Sequence, residues 1–152
     1  MTKPTMATTE LSQLELLYEQ DETAWLETMS AMAAEGRLAE MDFANLSEYL
    51  SSMAKRDRRA VKNRLVVLLQ HLLKWEFQPE RRSGSRKATI MEQRRRMEDL
   101  LESGTLQNHA ESILASAYES ARAEAAAETE LPLDTFPRNC PWDLESLLSN
   151  ND

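Results

Sequence analysis

Three side chains have the chemistry of a general acid or base: Asp21, Glu48 and His71. Asp21 lies at helical spacing between Tyr18 and Trp25, on an apolar stripe where a carboxylate needs a partner. A buried hydrogen bond or a local helix cap is the simpler explanation of that position. His71 lies among apolar residues, where it acts as a base only beside a positioned partner. If the three side chains converge on one pocket, a hydrolase or transferase becomes a hypothesis.

Metal binding is not predicted, because His71 has no ligand-type residue three or four positions away and His109 is the only other histidine. No cofactor is expected either. Cys140 is the only cysteine, so an internal disulfide is impossible, which is typical of proteins in a reducing cytoplasm. A thiol becomes a nucleophile only with a base beside it, so Cys140 is expected to be a packing residue.

The loop after Pro79 is the most chemically suggestive segment of the chain. A helix is predicted to start near Ser85, and backbone N–H groups at a helix N-terminus bind anions, especially beside guanidinium groups. The loop lacks the spaced glycines and the Lys-Ser/Thr pair of a P-loop, so an ordinary exposed loop is the alternative. The candidate anion-binding residues are Arg81, Arg82, Ser85, Arg86 and Lys87.

Charge changes sign twice along the chain, within an overall net charge of −8. Residues 1–54 include 2 basic and 10 acidic residues. Residues 55–96 include 14 basic and 4 acidic residues, and residues 97–152 include 2 basic and 12 acidic residues. The basic middle segment either pairs with its acidic flanks, at about 0.2–1 kcal/mol for each surface ion pair, or faces a polyanion. The first interpretation is favoured, because an acidic protein repels nucleic acid at long range. Four of its basic residues share one helical face: Lys55, Arg58, Arg59 and Lys62.

The composition predicts an all-α fold, because three glycines, three valines and two isoleucines leave little material for strands. Residues 61–78 are apolar nearly all round and are expected to form the central helix of a single-domain bundle of about five helices. Arg64 and Gln70 bracket an apolar run of only five residues, so this helix is too interrupted to cross a membrane.

The remaining segments are assigned around that helix. Residues 1–12 are expected to be disordered or frayed, and residues 13–130 to form the helical bundle. Its first helix is predicted within residues 13–35, and Asp42 is predicted to cap a separate helix that precedes the central one. Residues 131–152 are rich in proline and are expected to pack on the bundle and to end in a short helix.

Several segments, taken in order from residue 18 to residue 148, carry a family likeness. They are Tyr18-Glu19-Gln20-Asp21 with Trp25, Asp42 with Asn45-Leu46 and Glu48, Leu68-Leu69-Gln70-His71-Leu72-Leu73-Lys74-Trp75 with Pro79, Ala88-Thr89-Ile90 with Gln93-Arg94, Ala117-Tyr118 with Ala121-Arg122, Glu128-Thr129-Leu131-Pro132, and Phe136-Pro137 with Cys140-Pro141-Trp142. In these the chain resembles a bacterial, especially cyanobacterial, helical family known as domain of unknown function family twenty-nine. The resemblance implies an all-helical single domain and no established activity.

Two positions depart from the pattern of that family. The family has a second acidic residue after the position of Glu48, where this chain has Tyr49. It has an aromatic residue after the position of Ser85, where this chain has Arg86. If the paired carboxylates serve chemistry or a metal in relatives, that role is not expected in this chain.

Three hypotheses about function follow. The first is a cytoplasmic protein-interaction or adaptor module without catalysis, with an unidentified protein partner and homo-oligomerisation left open. The second is a nucleic-acid-associated regulatory protein that uses residues 55–96, with binding that weakens steeply in salt. The third is the hydrolase or transferase, with an anion site near Ser85.

Overall fold

The structure, a computed structural model, describes residues 6–149, with side chains from residue 10 onward. These residues form six α-helices and no β-strand, which confirms the predicted all-α fold. The helices are α1 (Met6–Gln20), α2 (Glu22–Ala34), α3 (Phe43–Phe77), α4 (Gly84–Leu100), α5 (Gly104–Thr129) and α6 (Leu144–Leu148). Short 3-10 turns lie at Leu38–Glu40, Pro79–Arg81 and Leu133–Thr135. Of the segment predicted to be disordered or frayed, residues 1–5 lie outside the described residues and residues 6–12 belong to α1.

The chain packs into two compact units, which divide between residues 54 and 55. The N-terminal unit contains α1, α2 and the first turns of α3, and the C-terminal unit contains the rest of α3 with α4, α5 and the tail. The sequence did not predict this division. No helix among the described residues combines the length and the apolar character that a membrane span requires.

In the N-terminal unit, α1 and α2 form two helices where the sequence predicted one. The break falls at Asp21, whose carboxylate accepts a hydrogen bond from the backbone N–H of Ala24 at 3.1 Å. An aspartate that caps a new helix competes with continuation of the preceding one, which explains the break. The unit has a small buried core that is rich in methionine: Leu14, Trp25, Met29, Met32 and Met41.

Helix α3 is one continuous helix of 35 residues, where the sequence predicted two. No proline or glycine lies between Phe43 and Phe77, so nothing in the sequence forces a break, and the central helix begins at residue 43 rather than 61. The predicted cap holds, because Asp42 accepts from the N–H of Asn45 at 3.3 Å. The predicted central apolar residues are all buried in the C-terminal unit: Val61, Leu65, Leu68, Leu69 and Leu72.

The proline-rich tail packs on α4 and α5, as predicted. Phe136, Leu144 and Leu147 belong to the buried core of the C-terminal unit. The hydroxyl of Tyr118 on α5 donates to the carbonyl oxygen of Pro137 at 2.5 Å. Together these contacts bring the short helix α6 beside α4 and α5.

Candidate functional site

The three acid–base candidates do not share a site within either unit. Asp21 is an exposed helix cap and Glu48 is an exposed residue of α3, both in the N-terminal unit. His71 lies on the part of α3 that belongs to the C-terminal unit. Because neither unit contains all three residues, neither provides the converged pocket that a hydrolase or transferase requires.

The buried carboxylate of the N-terminal unit is Asp42, which is 1% exposed. Its Oδ2 accepts hydrogen bonds from Trp25 Nε1 at 3.2 Å and from Asn45 Nδ2 at 2.7 Å. Tyr18 and Tyr49 flank the Trp25 ring, with ring centroids 4.7 and 6.0 Å away. Since these groups satisfy the carboxylate, Asp42 joins α2 to the start of α3 and acts as a structural residue. Sequence reasoning predicted its capping role and missed its bond to Trp25.

Around His71, the C-terminal half of α3 forms a polar cluster with the end of α5. Lys74 Nζ lies 3.0 Å from Glu128 Oε1, and Gln70 Nε2 donates to Glu128 Oε2. Burial lowers the pKa of His71, and the positive charge of Lys74 lowers it further. The hydrogen bond from Lys74 lowers the pKa of Glu128. The bonds from Lys74 and Gln70 to Glu128 therefore join α3 to α5 beside His71.

The predicted anion site near Ser85 is largely occupied by contacts within the protein. Helix α4 begins at Gly84, which confirms the predicted helix start near Ser85. Ser83 caps it, and the Ser83 hydroxyl accepts from the N–H of Arg86 at 3.2 Å. Arg82 Nε donates to the carbonyl oxygen of Trp75 at 2.9 Å, and its guanidinium lies 5.0 Å from the centre of the Trp75 ring. Through these contacts the loop covers the C-terminal end of α3.

The other charged groups of this loop differ in their partners. Arg86 Nη1 donates to the buried amide of Gln78 at 3.4 Å. Arg81 and Lys87 are exposed, and Ser85 presents its backbone oxygen to the hydroxyl of Thr89 at 3.0 Å. Only part of the predicted anion-binding set is therefore available to a ligand.

The basic face of α3 is exposed in the C-terminal unit. We use this name for Lys55, Arg58, Arg59 and Lys62, all of which are exposed. None of the four forms an ion pair with a described residue. The predicted pairing of the basic middle segment with an acidic flank does occur between Lys74 and Glu128. The basic face is not neutralised in that way.

A cleft of about 600 Å³ lies where α4, α5 and α6 meet. Its nine lining residues include four glutamates and three leucines, and none of them is basic. We call it the acidic cleft, and its residues are Glu98, Leu101, Glu102, Gln107, Glu111, Leu144, Glu145, Leu148 and Ser149. Sequence reasoning missed this site, because the meeting of three helices depends on how the tail packs. The only signal in the sequence was a pair of like charges, Glu98 and Glu102, four residues apart.

Cys140 lies partly buried in the tail, and its thiol donates to the carbonyl oxygen of Trp142 at 3.2 Å. Burial raises the pKa of this thiol, which keeps it protonated, as the packing interpretation requires. Among the residues with described side chains, no three His, Cys, Asp or Glu groups lie close enough together to hold a metal ion.

The comparisons with known proteins identify the family of the chain. No curated protein and no solved structure shows significant similarity to the chain. A family profile described as a domain of unknown function, DUF29, matches residues 17–151, which is nearly the whole chain. The chain therefore belongs to the DUF29 family.

Proposed function

We propose that the chain is a protein-interaction module whose binding surface lies on the N-terminal unit. The observation that carries this proposal is a set of large apolar side chains that this unit exposes to solvent. The set comprises Leu11, Leu16, Leu38, Phe43 and Leu50. Single exposed apolar residues are ordinary, so the proposal relies most on Phe43 and Leu50, which lie on one face of one helix.

Phe43 and Leu50 form the best-defined part of that surface. They are 55% and 59% exposed and lie seven residues apart on α3, so they share one face of the helix. Burial of side chains of this kind against a partner stabilises a complex by about 1.5–3 kcal/mol each when burial is complete. Two such side chains on a rigid helix are a suitable anchor for a protein partner.

The net charge of the N-terminal unit indicates what kind of partner protein would bind to it. Among residues 10–54 there are 10 acidic residues and one basic residue, Arg37. Arg37 is already paired with Glu35 at 3.2 Å and with Glu40 at 2.8 Å. An acidic surface with exposed apolar side chains favours a partner that is basic and partly apolar, and it repels nucleic acid.

The test is to isolate the protein from its native cell at low salt and to identify what accompanies it. Mass spectrometry identifies co-purifying proteins, and ultraviolet absorbance reports nucleic acid. We expect a stoichiometric protein that is lost from the double variant Phe43→Ser with Leu50→Ser. The control is Met91→Ser, which changes an exposed apolar residue of the C-terminal unit and should keep the partner. Recovery of no protein, or equal loss from both variants, would contradict the proposal.

Nucleic-acid binding is the second candidate, and one observation favours it. The four cations of the basic face are exposed, share one side of α3 and lack an acidic partner among the described residues. A stripe of cations at this spacing suits the phosphates of a nucleic-acid backbone.

This candidate is tested by titrating labelled single-stranded and duplex oligonucleotides over a series of salt concentrations. Binding at the basic face should weaken steeply with salt, and the double variant Lys55→Gln with Arg58→Gln should flatten that dependence. The matched control is Arg95→Gln with Arg138→Gln, which removes two exposed cations elsewhere in the C-terminal unit. Binding that is undetectable, or independent of salt, excludes this function.

A further inference from the structure

The acidic cleft of the C-terminal unit combines an apolar floor with an uncompensated negative rim. Leu101 and Leu144 are buried at its floor, and Leu148 is half-buried beside them. The rim carries four exposed carboxylates, from Glu98, Glu102, Glu111 and Glu145. None of the four pairs with a cation among the described residues. The cleft therefore differs from an ordinary acidic surface, because buried leucines lie among its exposed glutamates.

The charges of the rim repel one another in the isolated protein. Glu98 lies in the last turn of α4 and Glu102 lies two residues beyond the end of that helix, and both carboxylates belong to the same rim. Glu111 on α5 and Glu145 on α6 add two further negative charges to the same cleft. A cationic group placed among them relieves this repulsion, so the electrostatic potential of the cleft favours a basic ligand.

The lining of the cleft also favours a basic peptide over other cationic ligands. No three carboxylates among the residues with described side chains are close enough to hold a metal ion, so a bare cation has no coordinating cage here. A hydrophilic cation would also gain nothing from the leucine floor. A segment with both apolar and basic side chains uses both parts of the cleft, and the volume of about 600 Å³ is within the usual range for binding sites. Nucleic acids and anionic lipid surfaces are repelled by the rim.

We propose that the acidic cleft binds a basic amphipathic segment of a partner protein. In this complex, an apolar side chain of the segment rests on Leu101, Leu144 and Leu148. Its Lys or Arg side chains lie against the four glutamates of the rim. All residues of this site belong to the C-terminal unit. The proposal is therefore tested independently of the function proposed for the N-terminal unit.

The test uses the full chain and a synthetic peptide of about 16 residues, some four helical turns, with leucine and lysine at helical spacing. A second peptide has the same composition in an order that places the leucines on all sides. Binding is measured by calorimetry at low salt. The amphipathic peptide should bind the wild-type protein and the scrambled peptide should bind at least about tenfold more weakly, a difference of about 1.4 kcal/mol.

Charge-reversal variants then locate the site. The double variant Glu98→Lys with Glu102→Lys should weaken binding of the amphipathic peptide by about tenfold or more. The control, Glu119→Lys with Glu124→Lys, makes the same change of net charge at exposed positions of α5 outside the cleft, and should weaken binding no more than about twofold. Leu148→Ser should weaken binding without a change of charge. The Phe43→Ser with Leu50→Ser variant should bind the peptide normally, which separates this site from the N-terminal surface.

Two results would overturn the proposal. Equal binding of both peptides, or equal effects of the two charge-reversal pairs, would show that only net charge matters. Self-association in sedimentation experiments that is abolished both by Glu98→Lys with Glu102→Lys and by changes to the basic face would show that a second copy of the chain fills the cleft instead.

Discussion

Lys74 and Glu128 form an ion pair of 3.0 Å that joins the centre of the C-terminal unit to the end of α5. The pair is asymmetric, since the Lys74 side chain is 7% exposed and the Glu128 side chain is 55% exposed. Lys74 has therefore lost most of its hydration and depends on Glu128 for compensation, whereas Glu128 remains partly solvated. Glu128 on α5 therefore neutralises the positive charge that Lys74 on α3 buries.

Glu128→Gln should destabilise the protein by about 1–2 kcal/mol. The estimate lies below the cost of breaking a fully buried pair, because the exposed half of Glu128 is screened by solvent. The free energy of unfolding in urea is the quantity to measure. Glu124→Gln removes an exposed carboxylate from the same helix and should change that free energy by less than about 0.5 kcal/mol.

The contribution of Glu128 should also depend on pH. Its pKa is lowered in the folded protein from an ordinary value of 4.5, chiefly by the hydrogen bond from Lys74. The stabilisation is therefore present above pH 4.5 and is lost as the pH falls through the lowered folded-state pKa. Wild-type protein and Glu128→Gln should converge in unfolding free energy in that acidic window. A difference that persists unchanged to the lowest pH at which both fold would contradict this account of Glu128.

His71 should produce a second, distinct pH dependence. Its pKa is lowered from 6.5, first by burial and then by Lys74. The unfolded chain therefore binds more protons than the folded one just below pH 6.5, so stability is complete above that pH and falls as the pH drops toward the folded-state pKa. The imidazole of His71, followed by NMR, should titrate below 6.5. His71→Gln should reduce the slope of stability against pH in this range, and an imidazole that titrates above 6.5 would disprove the assignment.

Asp42→Ala should destabilise the N-terminal unit by about 2 kcal/mol, because it leaves the buried indole N–H of Trp25 and the partly buried donors of Asn45 without an acceptor. Asp21→Ala is the comparison, since Asp21 is an exposed cap whose loss should cost about 1 kcal/mol. Thermal unfolding followed by circular dichroism measures both. A double-mutant cycle with Trp25→Phe should show coupling between residues 25 and 42. Additive effects in that cycle would mean that the bond between them contributes nothing to stability.

Local sequence patterns predicted the elements better than they predicted the sites. The spacing of Val61, Leu65 and Leu68 identified the buried face of α3, because apolar residues at i, i+4 and i+7 lie on one side of a helix. A local helix cap at Asp21 was one of the two structural explanations expected, and the structure shows that cap. The division into two helices was missed, because the apolar residues on either side of Asp21 continue at helical spacing.

The acidic cleft could not be predicted from the spacing of residues along the chain. Glu98 on α4 and Leu144 on α6 lie 46 positions apart in the sequence and line one cleft only because the tail folds back. Their proximity depends on tertiary contacts such as that between Tyr118 and Pro137, and periodicity contains no information about these. The resemblance to a helical family gave the fold and contributed nothing on this point.

Tyr118→Phe should loosen the tail while leaving the helices of the bundle intact. Its hydroxyl is the donor to Pro137, and the phenyl ring of the variant fills the same buried space, so the change removes one hydrogen bond at a cost of about 1 kcal/mol. Hydrogen exchange should become faster in residues 131–149 and stay unchanged in the centre of α3, since the tail is the segment that the bond holds. Tyr49→Phe, which changes a tyrosine of the N-terminal unit, should leave exchange in the tail unaffected. If exchange in the tail is equally fast in both variants, or unchanged in both, the Tyr118 bond does not hold the tail. Its docking then rests on the apolar contacts of Phe136 and Leu147 and on the hydrogen bonds that Arg94 and Arg122 donate to carbonyl oxygens of the tail.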